Sequence, residues 1–272
     1  MRSVVVIIPV YNGFDCVKRL ANCEGLREVE HEVLFIDDAS TDSEISTLLN
    51  EVCSSNHNFH MLSNNRNLGF VGTVNRGMSL CNDSDVILLN SDTVVPVGWV
   101  DSLVKIRKAE SRVATISPLS NAAGFYSVPV PGENNAMPEG FTVEECSKAL
   151  KNCSGFDYEE SLTTCGFCQY ITREAIDVVG YFDESIFHKG YGEETDFCLR
   201  AIDAGFKNYI CLSEYVYHER EVSFGASKLS LKKQNSAFLK AMHPSFIDQL
   251  KAYEKGSRVS SVAERFNQFI KS

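Results

Sequence analysis

The chain has one tryptophan and seven prolines in 272 residues, with no low-complexity tract and no internal repeat. Collagen-like, proline-rich and disordered descriptions of the whole are thereby excluded. No stretch approaches the ~20 apolar residues that cross a bilayer as a helix. Positive charge is scarce too: 26 basic residues face 36 acidic ones, for a formal net charge of −10. Such a chain repels nucleic-acid phosphates and anionic lipid outside a local basic patch. An anionic substrate would need local neutralisation, and a divalent cation held by carboxylates supplies it with few residues. The familiar phosphate loops are missing, with neither G-x-x-x-x-G-K-[ST] nor G-x-G-x-x-G after the first strand. Gly69-Phe70-Val71-Gly72 opens a helix whose amides could meet a phosphate, but such a pair of glycines more often permits close packing.

What is present is ordinary globular material, 44% hydrophobic and 23% charged. The length suits one large domain, or one domain with an appendage. The opening run Val4–Ile8 reads as a buried first strand and not as a signal peptide. Ten cysteines are scattered without a small secreted framework, which suggests a reducing, cytoplasmic setting. Cys165 and Cys168 form a C-x-x-C in an apparent strand without a second pair, a weak basis for redox or zinc chemistry.

The first half alternates strands and helices. Strands are expected at Val4–Ile8, Glu32–Ile36, His60–Ser63, Val86–Leu89 and Val113–Ser117. Between them come helices near Cys16–Cys23, from a Thr41/Glu44 capping box to about Cys53, over Phe70–Cys81, and within Pro96–Lys108. This rhythm implies an α/β fold with a mostly parallel sheet and helices on both faces. Residues 118–165 read as loops around one short helix, Thr142–Leu150, capped by Thr142 and Glu145. A strand Phe167–Thr172, a helix Arg173–Val179, a helix Glu193–Ala204 and two strands, Asn208–Leu212 and Tyr215–His218, complete the domain. A helical segment follows to the end.

Ligands of such sheets bind at the carboxyl ends of strands. Tyr11-Asn12, Asp37-Asp38 and Asn90-Ser91-Asp92 stand at those ends. Asp92 and Asp38 have a plain alternative use, as caps of a turn or helix. His218 by itself is more often structural. Paired with Asp92 across the sheet end, it gives one carboxylate and one imidazole, a set that suits Mn2+ or Mg2+ beside phosphate oxygens. Glu193, Glu194, Asp196 and Arg200 crowd the start of a helix, where carboxylates favour the dipole. They make either a well-capped surface helix or the home of a general base.

Together these stretches resemble the inverting family-2 glycosyltransferases of the GT-A fold. The matching elements are Val5–Asn12, Phe35–Asp42, Asn64–Phe70 with Asn75-Arg76-Gly77, Leu88–Thr93, Gly192–Asp196 and Tyr217-His218. The resemblance spans about residues 3–225 and implies a nucleotide-sugar-binding and catalytic domain over 1–225, with a helical extension over 226–272. It implies that Pro9, Tyr11 and Asn12 line the nucleotide pocket and that Asp38 accepts from a pyrimidine N3–H. Asn67 and Asn75 would flank the nucleotide and donor sugar. Asn90, Ser91 and Asp92 would occupy the D-x-D position, with Asp92 and His218 as ligands of Mn2+ or Mg2+. Glu194 would be the catalytic base, with Glu193 the other candidate. Two departures stand out: Asn90 replaces the first Asp of D-x-D, and Glu194 stands where Asp is common.

The activity so implied is transfer of a sugar from a nucleotide-diphosphate donor, UDP- or dTDP-linked, to a hydroxyl of a glycan or lipid-linked acceptor. The style of the motifs is similar to bacterial enzymes that build rhamnose-containing or other surface polysaccharides. The competing readings are a non-catalytic sugar-nucleotide-binding module and a nucleotidyltransferase. The latter lacks its Gly-rich basic loop, because Pro9–Gly13 stands in that place. Residues 228–272 mix Lys240, Lys251, Lys255 and Arg258 with Leu239, Phe246, Phe266 and Phe269. They fit packing on the main domain or a partner domain, or a peripheral contact with the inner face of a membrane.

Overall fold

The structure is a computed structural model and describes residues 2–187, 190–219 and 226–271. The boundary expected at residue 225 falls outside the described residues. Strands β1 (Val4–Val10), β2 (Glu32–Asp37), β3 (Phe59–Ser63) and β4 (Asp85–Leu89) alternate with helices α1 (Phe14–Asn22), α2 (Glu24–Arg27), α3 (Ser43–Ser55) and α4 (Gly69–Leu80). Then follow β5 (Thr93–Val94), α5 (Trp99–Ala109), β6 (Val113–Leu119), α6 (Val143–Cys153), β7 (Tyr158–Ser161) and β8 (Cys168–Ile171). Helices α7 (Arg173–Val179), α8 (Glu184–Phe187) and α9 (Glu193–Asp203) lead into β9 (Lys207–Tyr215) and β10 (Tyr217–His218). Three helices, α10 (Ala226–Met242), α11 (Phe246–Gly256) and α12 (Val259–Phe269), complete the described chain.

Eight strands form one sheet in the order β3-β2-β1-β4-β8-β6-β9-β7. β1, β2, β3 and β4 pair in parallel, while β8 runs against both β4 and β6, and β7 against β9. Every residue of β4 is buried, as a strand with helices on both faces requires. Alternation along β1 divides its side chains: Val6, Ile8 and Val10 enter one core, and Ile7 enters the core on the other face. Helix α4 lies close over β1 at Gly77, where a Cβ would come within 2.8 Å of Ile7 Cγ2. Glycine is what allows that approach.

Pro9 sits within central β1, where a missing N–H would normally break a ladder. It is tolerated because pairing with β4 ends at Ile7–Leu88, so Pro9 pairs only with β2, at Ile36.

Several local expectations change. Helix α3 is capped by Asp42, whose side chain accepts from Glu44 N, and the expected Thr41/Glu44 box does not form. Thr41 is instead drawn toward Asn12. The Thr142/Glu145 box is present on α6. β7 and α8 have no counterpart in the sequence reading. β9 runs unbroken to Tyr215, and Tyr217–His218 leaves the main sheet to pair antiparallel with β5.

The C-terminal helices pack into the same body. Val259, Val262, Ala263 and Phe266 of α12 join one core, and Leu239 of α10 joins the other. Phe266 stacks on Tyr215 with ring centres 6.1 Å apart. Arg265 donates to Ser154 O at 2.7 Å, and Arg258 lies 4.4 Å over the Phe156 ring. Burying Phe266 contributes ~1.5–3 kcal/mol of transfer free energy, so packing accounts for much of this segment's apolar content. Among the described residues no helix is long and apolar enough to cross a membrane.

Candidate active site

Because β1, β2 and β4 are parallel, their carboxyl ends share one rim. Tyr11, Asn12, Asp37, Asp38 and Asn90–Asp92 all emerge there. Tyr11 is 49% exposed and presents its ring to solvent. A planar base could stack on it.

Two rim residues depart from their expected roles. Asn12 adopts a left-handed φ of 57° and turns its amide oxygen to Thr41 N at 2.9 Å and Asp42 N at 3.0 Å. It therefore ties the loop after β1 to the loop after β2. Asp38, expected to read a pyrimidine, is 3% exposed. Its oxygens accept from Asn64 Nδ2 at 2.7 Å, Leu68 N at 2.7 Å and Gly69 N at 2.9 Å. The physical reason is the start of α4: its first amides lack partners within the helix, and a carboxylate satisfies them well. The capping account of Asp38 holds in kind, but the helix concerned is α4 and not α3.

The asparagines behind the rim also serve the fold. Asn67 Oδ1 accepts from Gly69 N at 3.0 Å, shaping the same turn. Asn75 grips Phe182, donating to its carbonyl at 2.9 Å and accepting from its N–H at 3.2 Å. Asn75 thus ties α4 to the loop between α7 and α8.

Asp92 and His218 do meet. His218 Nε2 lies 3.3 Å from Asp92 Oδ1. The β5–β10 ribbon places them, pairing His218 with Thr93, and Glu219 N donates to Asp92 O at 2.9 Å. Asn121 fixes the His218 backbone from the other side: its Oδ1 accepts from His218 N at 2.8 Å and its Nδ2 donates to His218 O at 3.0 Å. Phe167 stacks on the imidazole, with ring centres 5.2 Å apart and planes 14° from parallel. The ring is buried, its Nδ1 has no hydrogen-bond partner among the described residues, and its Nε2 faces Asp92.

The glutamate pair belongs to the same neighbourhood through a short bridge. Phe167 O accepts from Asn90 N at 2.8 Å, while its ring covers His218. The preceding residue, Gly166, lies against Glu194, its virtual Cβ 3.8 Å from the Glu194 side-chain carbons. The segment Gly166-Phe167 thereby touches Asn90, His218 and Glu194.

The two glutamates differ sharply. Glu193 is 5% exposed, and its Oε2 is buried with no hydrogen-bond partner among the described residues. Burial, and secondarily the charge of Glu194, hold its carboxyl well above the usual range. Glu194 is half-buried and accepts from Gly192 N at 3.2 Å. Glu193 therefore holds a proton more tightly than an ordinary glutamate, and Glu194 is the more exposed carboxylate of the two.

The Asp92–His218 pair fits a divalent cation. Ligands at about 2.1 Å on adjacent vertices of an octahedral ion lie about 3 Å apart, close to the observed separation. One carboxylate oxygen and one imidazole nitrogen suit Mn2+ or Mg2+. Among the described residues no group of three or more His, Cys, Asp or Glu is arranged to hold a metal. Remaining positions would fall to phosphate oxygens and water. The cysteines form no disulfide among the described residues, and Cys168 is buried in β8.

Asn121, Phe167 and Gly166 escaped sequence reasoning. Asn121 lies in a stretch rich in loop residues, and the other two sit inside the discounted C-x-x-C. A residue that acts by touching distant backbone leaves no local period.

Comparison with known proteins bears on the family and the fold. The profile of glycosyl transferase family 2 matches residues 5–180, more than half of the chain. A pre-mycofactocin glycosyltransferase of Mycobacterium tuberculosis is 28% identical over 210 residues, covering 75% of this chain and 40% of its own length. The chain thus spans well under half of that relative. Among solved structures, the mannosyltransferase PcManGT from Pyrobaculum calidifontis, in complex with GDP-Man and Mn2+, aligns over 97% of this chain and 74% of its own, at 16% identity and a TM-score of 0.63. GalNAc-T7 with UDP, GalNAc and Mn2+ aligns over 100% of this chain and 55% of its own, at 16% identity and a TM-score of 0.59. The shared architecture is the GT-A fold, and the chain belongs to glycosyl transferase family 2.

Proposed function

We propose that this chain is an inverting glycosyltransferase that moves a sugar from a nucleotide-diphosphate donor to a hydroxyl of a glycan or lipid-linked acceptor. The observation that supports the reading is the contact of Asp92 with His218, together with the Gly166-Phe167 segment that touches His218 through Phe167 and the Glu194 side chain through Gly166. The setting we propose is the cytoplasmic face of bacterial surface-polysaccharide synthesis.

Asp92 and His218 would hold Mn2+ or Mg2+, which supplies charge neutralisation for the diphosphate as it leaves. Tyr11 offers an exposed ring to the base, and Asn90 and Ser91 lie beside Asp92 near the ribose and diphosphate. Glu194 accepts the proton of the acceptor hydroxyl. The acceptor oxygen forms its bond to the anomeric carbon from the face opposite the diphosphate. The carbon–phosphate-oxygen bond breaks, and its electron pair departs with the nucleoside diphosphate. Burial raises the Glu193 carboxyl and so disfavours a second negative charge beside the base. General-base assistance of this kind is worth ~10²–10⁴-fold in rate.

The preference for uridine or thymidine rested on Asp38. With that carboxylate engaged by α4, the donor is assigned only as a nucleotide-diphosphate sugar. A thermal-shift screen of UDP-, dTDP- and GDP-sugars, with and without Mn2+, tests the reading. A ligand that binds only the native state raises stability with the logarithm of its concentration above Kd. The expected result is a shift for at least one donor that needs Mn2+ and is lost in Asp92→Ala. No shift for any donor contradicts it. A shift without release of nucleoside diphosphate, whatever acceptor is supplied, favours the non-catalytic binding module.

A further inference from the structure

The turn that delivers the glutamate pair is built against its backbone preferences. Gly190, Tyr191 and Gly192 have φ of 82°, 69° and 122° in succession. A non-glycine residue at positive φ, here Tyr191, is strained and persists only where its surroundings enforce it. Residues from beyond position 225 do the enforcing.

We propose that helix α10 is a positioning clamp for the base: Asn235, Leu239 and His243 hold the Gly190–Gly192 turn and the first turn of α9 in the shape that presents Glu194. The proposal rests on the reading of Glu194 as the base. Asn235 is 2% exposed, and its Nδ2 donates both hydrogens, to Gly190 O at 2.8 Å and Tyr191 O at 3.1 Å. Leu239 places its Cδ1 3.0 Å from where a Gly192 Cβ would stand, with Phe187 equally close. His243 Nε2 donates to Asp196 Oδ1 at 3.0 Å. Asp196 is fully buried, and Arg200 holds its other oxygen at 2.7 Å.

The spacing of the three residues is the helical one. Positions 235, 239 and 243 are four apart, so they form one stripe along α10 and its C-terminal continuation, where His243 N donates to Leu239 O at 2.8 Å. The stripe meets three successive parts of the turn: the carbonyls of Gly190 and Tyr191, the α-carbon of Gly192, and the Asp196 carboxylate. Two consecutive carbonyls turned outward from a positive-φ turn need donors, and a primary amide supplies two from one atom. The charged groups facing this turn include Glu193, Glu194, Asp196, Arg200 and His243. Glu193 stays buried, with its carboxyl raised, only while the turn keeps this shape.

The test compares the full chain with Asn235→Leu, which keeps volume and removes both donors, and with Leu239→Ala. Amide exchange is followed by mass spectrometry, and the Glu193 carboxyl is titrated by carbon-13 NMR. The clamp requires at least ten-fold loss of protection over residues 190–197, with protection of β1, β4 and α12 unchanged. It also requires the Glu193 carboxyl to titrate nearer the ordinary glutamate range in Asn235→Leu. Unchanged protection and titration overturn it, as does a loss of protection spread evenly over the chain. Neither readout involves turnover, so full activity in Glu194→Gln would remove the base assignment while leaving the clamp to stand or fall separately.

Discussion

His218 Nε2 stands 3.3 Å from Asp92 Oδ1, although the whole of α5 to β9 intervenes between them in the chain. The contact is produced by a two-strand ribbon set apart from the main sheet, β5 with β10. If this pair holds the cation, Asp92→Ala and His218→Ala should each abolish the Mn2+ dependence of nucleotide binding in calorimetry. Equal Mn2+-dependent binding in both variants would remove the metal assignment.

Asn121 touches no substrate in this account, yet it holds both backbone polar groups of His218. Partners that orient a metal ligand are typically worth ~10–100-fold in affinity. Asn121→Ala should weaken Mn2+ binding by about that factor while leaving binding of metal-free nucleotide nearly unchanged. Calorimetry with Mn2+ alone, and then with nucleotide alone, separates the two.

Glu193 makes stability depend on pH in a definite direction. Its folded carboxyl is raised above its ordinary value of 4.5, so the native state binds the proton more tightly than the unfolded chain. The contribution is fully present below that ordinary value and is lost as pH rises through it toward the folded pKa. The slope from this one group reaches about 1.4 kcal/mol per pH unit at most. Glu193→Gln should flatten the decline in urea midpoint between pH 5 and pH 8, and an unchanged slope would contradict the buried, protonated state.

Phe266 gives a test of the C-terminal segment. It is fully buried against Tyr215, so Phe266→Ala should cost ~3–5 kcal/mol in chemical denaturation. A loss under about 1 kcal/mol, with α12 still helical, would show that the segment is carried on the surface.

Much of the scaffold could be read ahead of the structure because its signals are local. Val4–Ile8 and Val86–Leu89 are continuous apolar runs, and such runs mark strands covered on both faces. Thr142 with Glu145 is a capping box in sequence and in space. The rim clusters followed from strand direction, whereas the pairing of Asp92 with His218 came with the family resemblance and is made in space by the separate β5–β10 ribbon. What escaped depends on partners distant in the chain. β7, Tyr158-Glu159-Glu160-Ser161, has little strand character and exists by pairing with β9. Asp42 displaced Thr41 as the α3 cap because Asn12, brought over from β1, engages Thr41. Asp38 turned inward for the same kind of reason, since the bare amides of α4 arrive from 31 residues away. Asn235, Leu239 and His243 look like any polar and apolar helix positions until the turn they hold is seen.

The measurement that bears most directly on the central claim compares wild type with Glu194→Gln for nucleoside diphosphate release, using the donor that the Mn2+ thermal-shift screen identifies. The account predicts a ~10²–10⁴-fold loss of rate with donor affinity within a factor of two of wild type by calorimetry. Turnover at the wild-type rate, with donor bound equally well, would contradict the assignment of Glu194 as the group that takes the acceptor's proton.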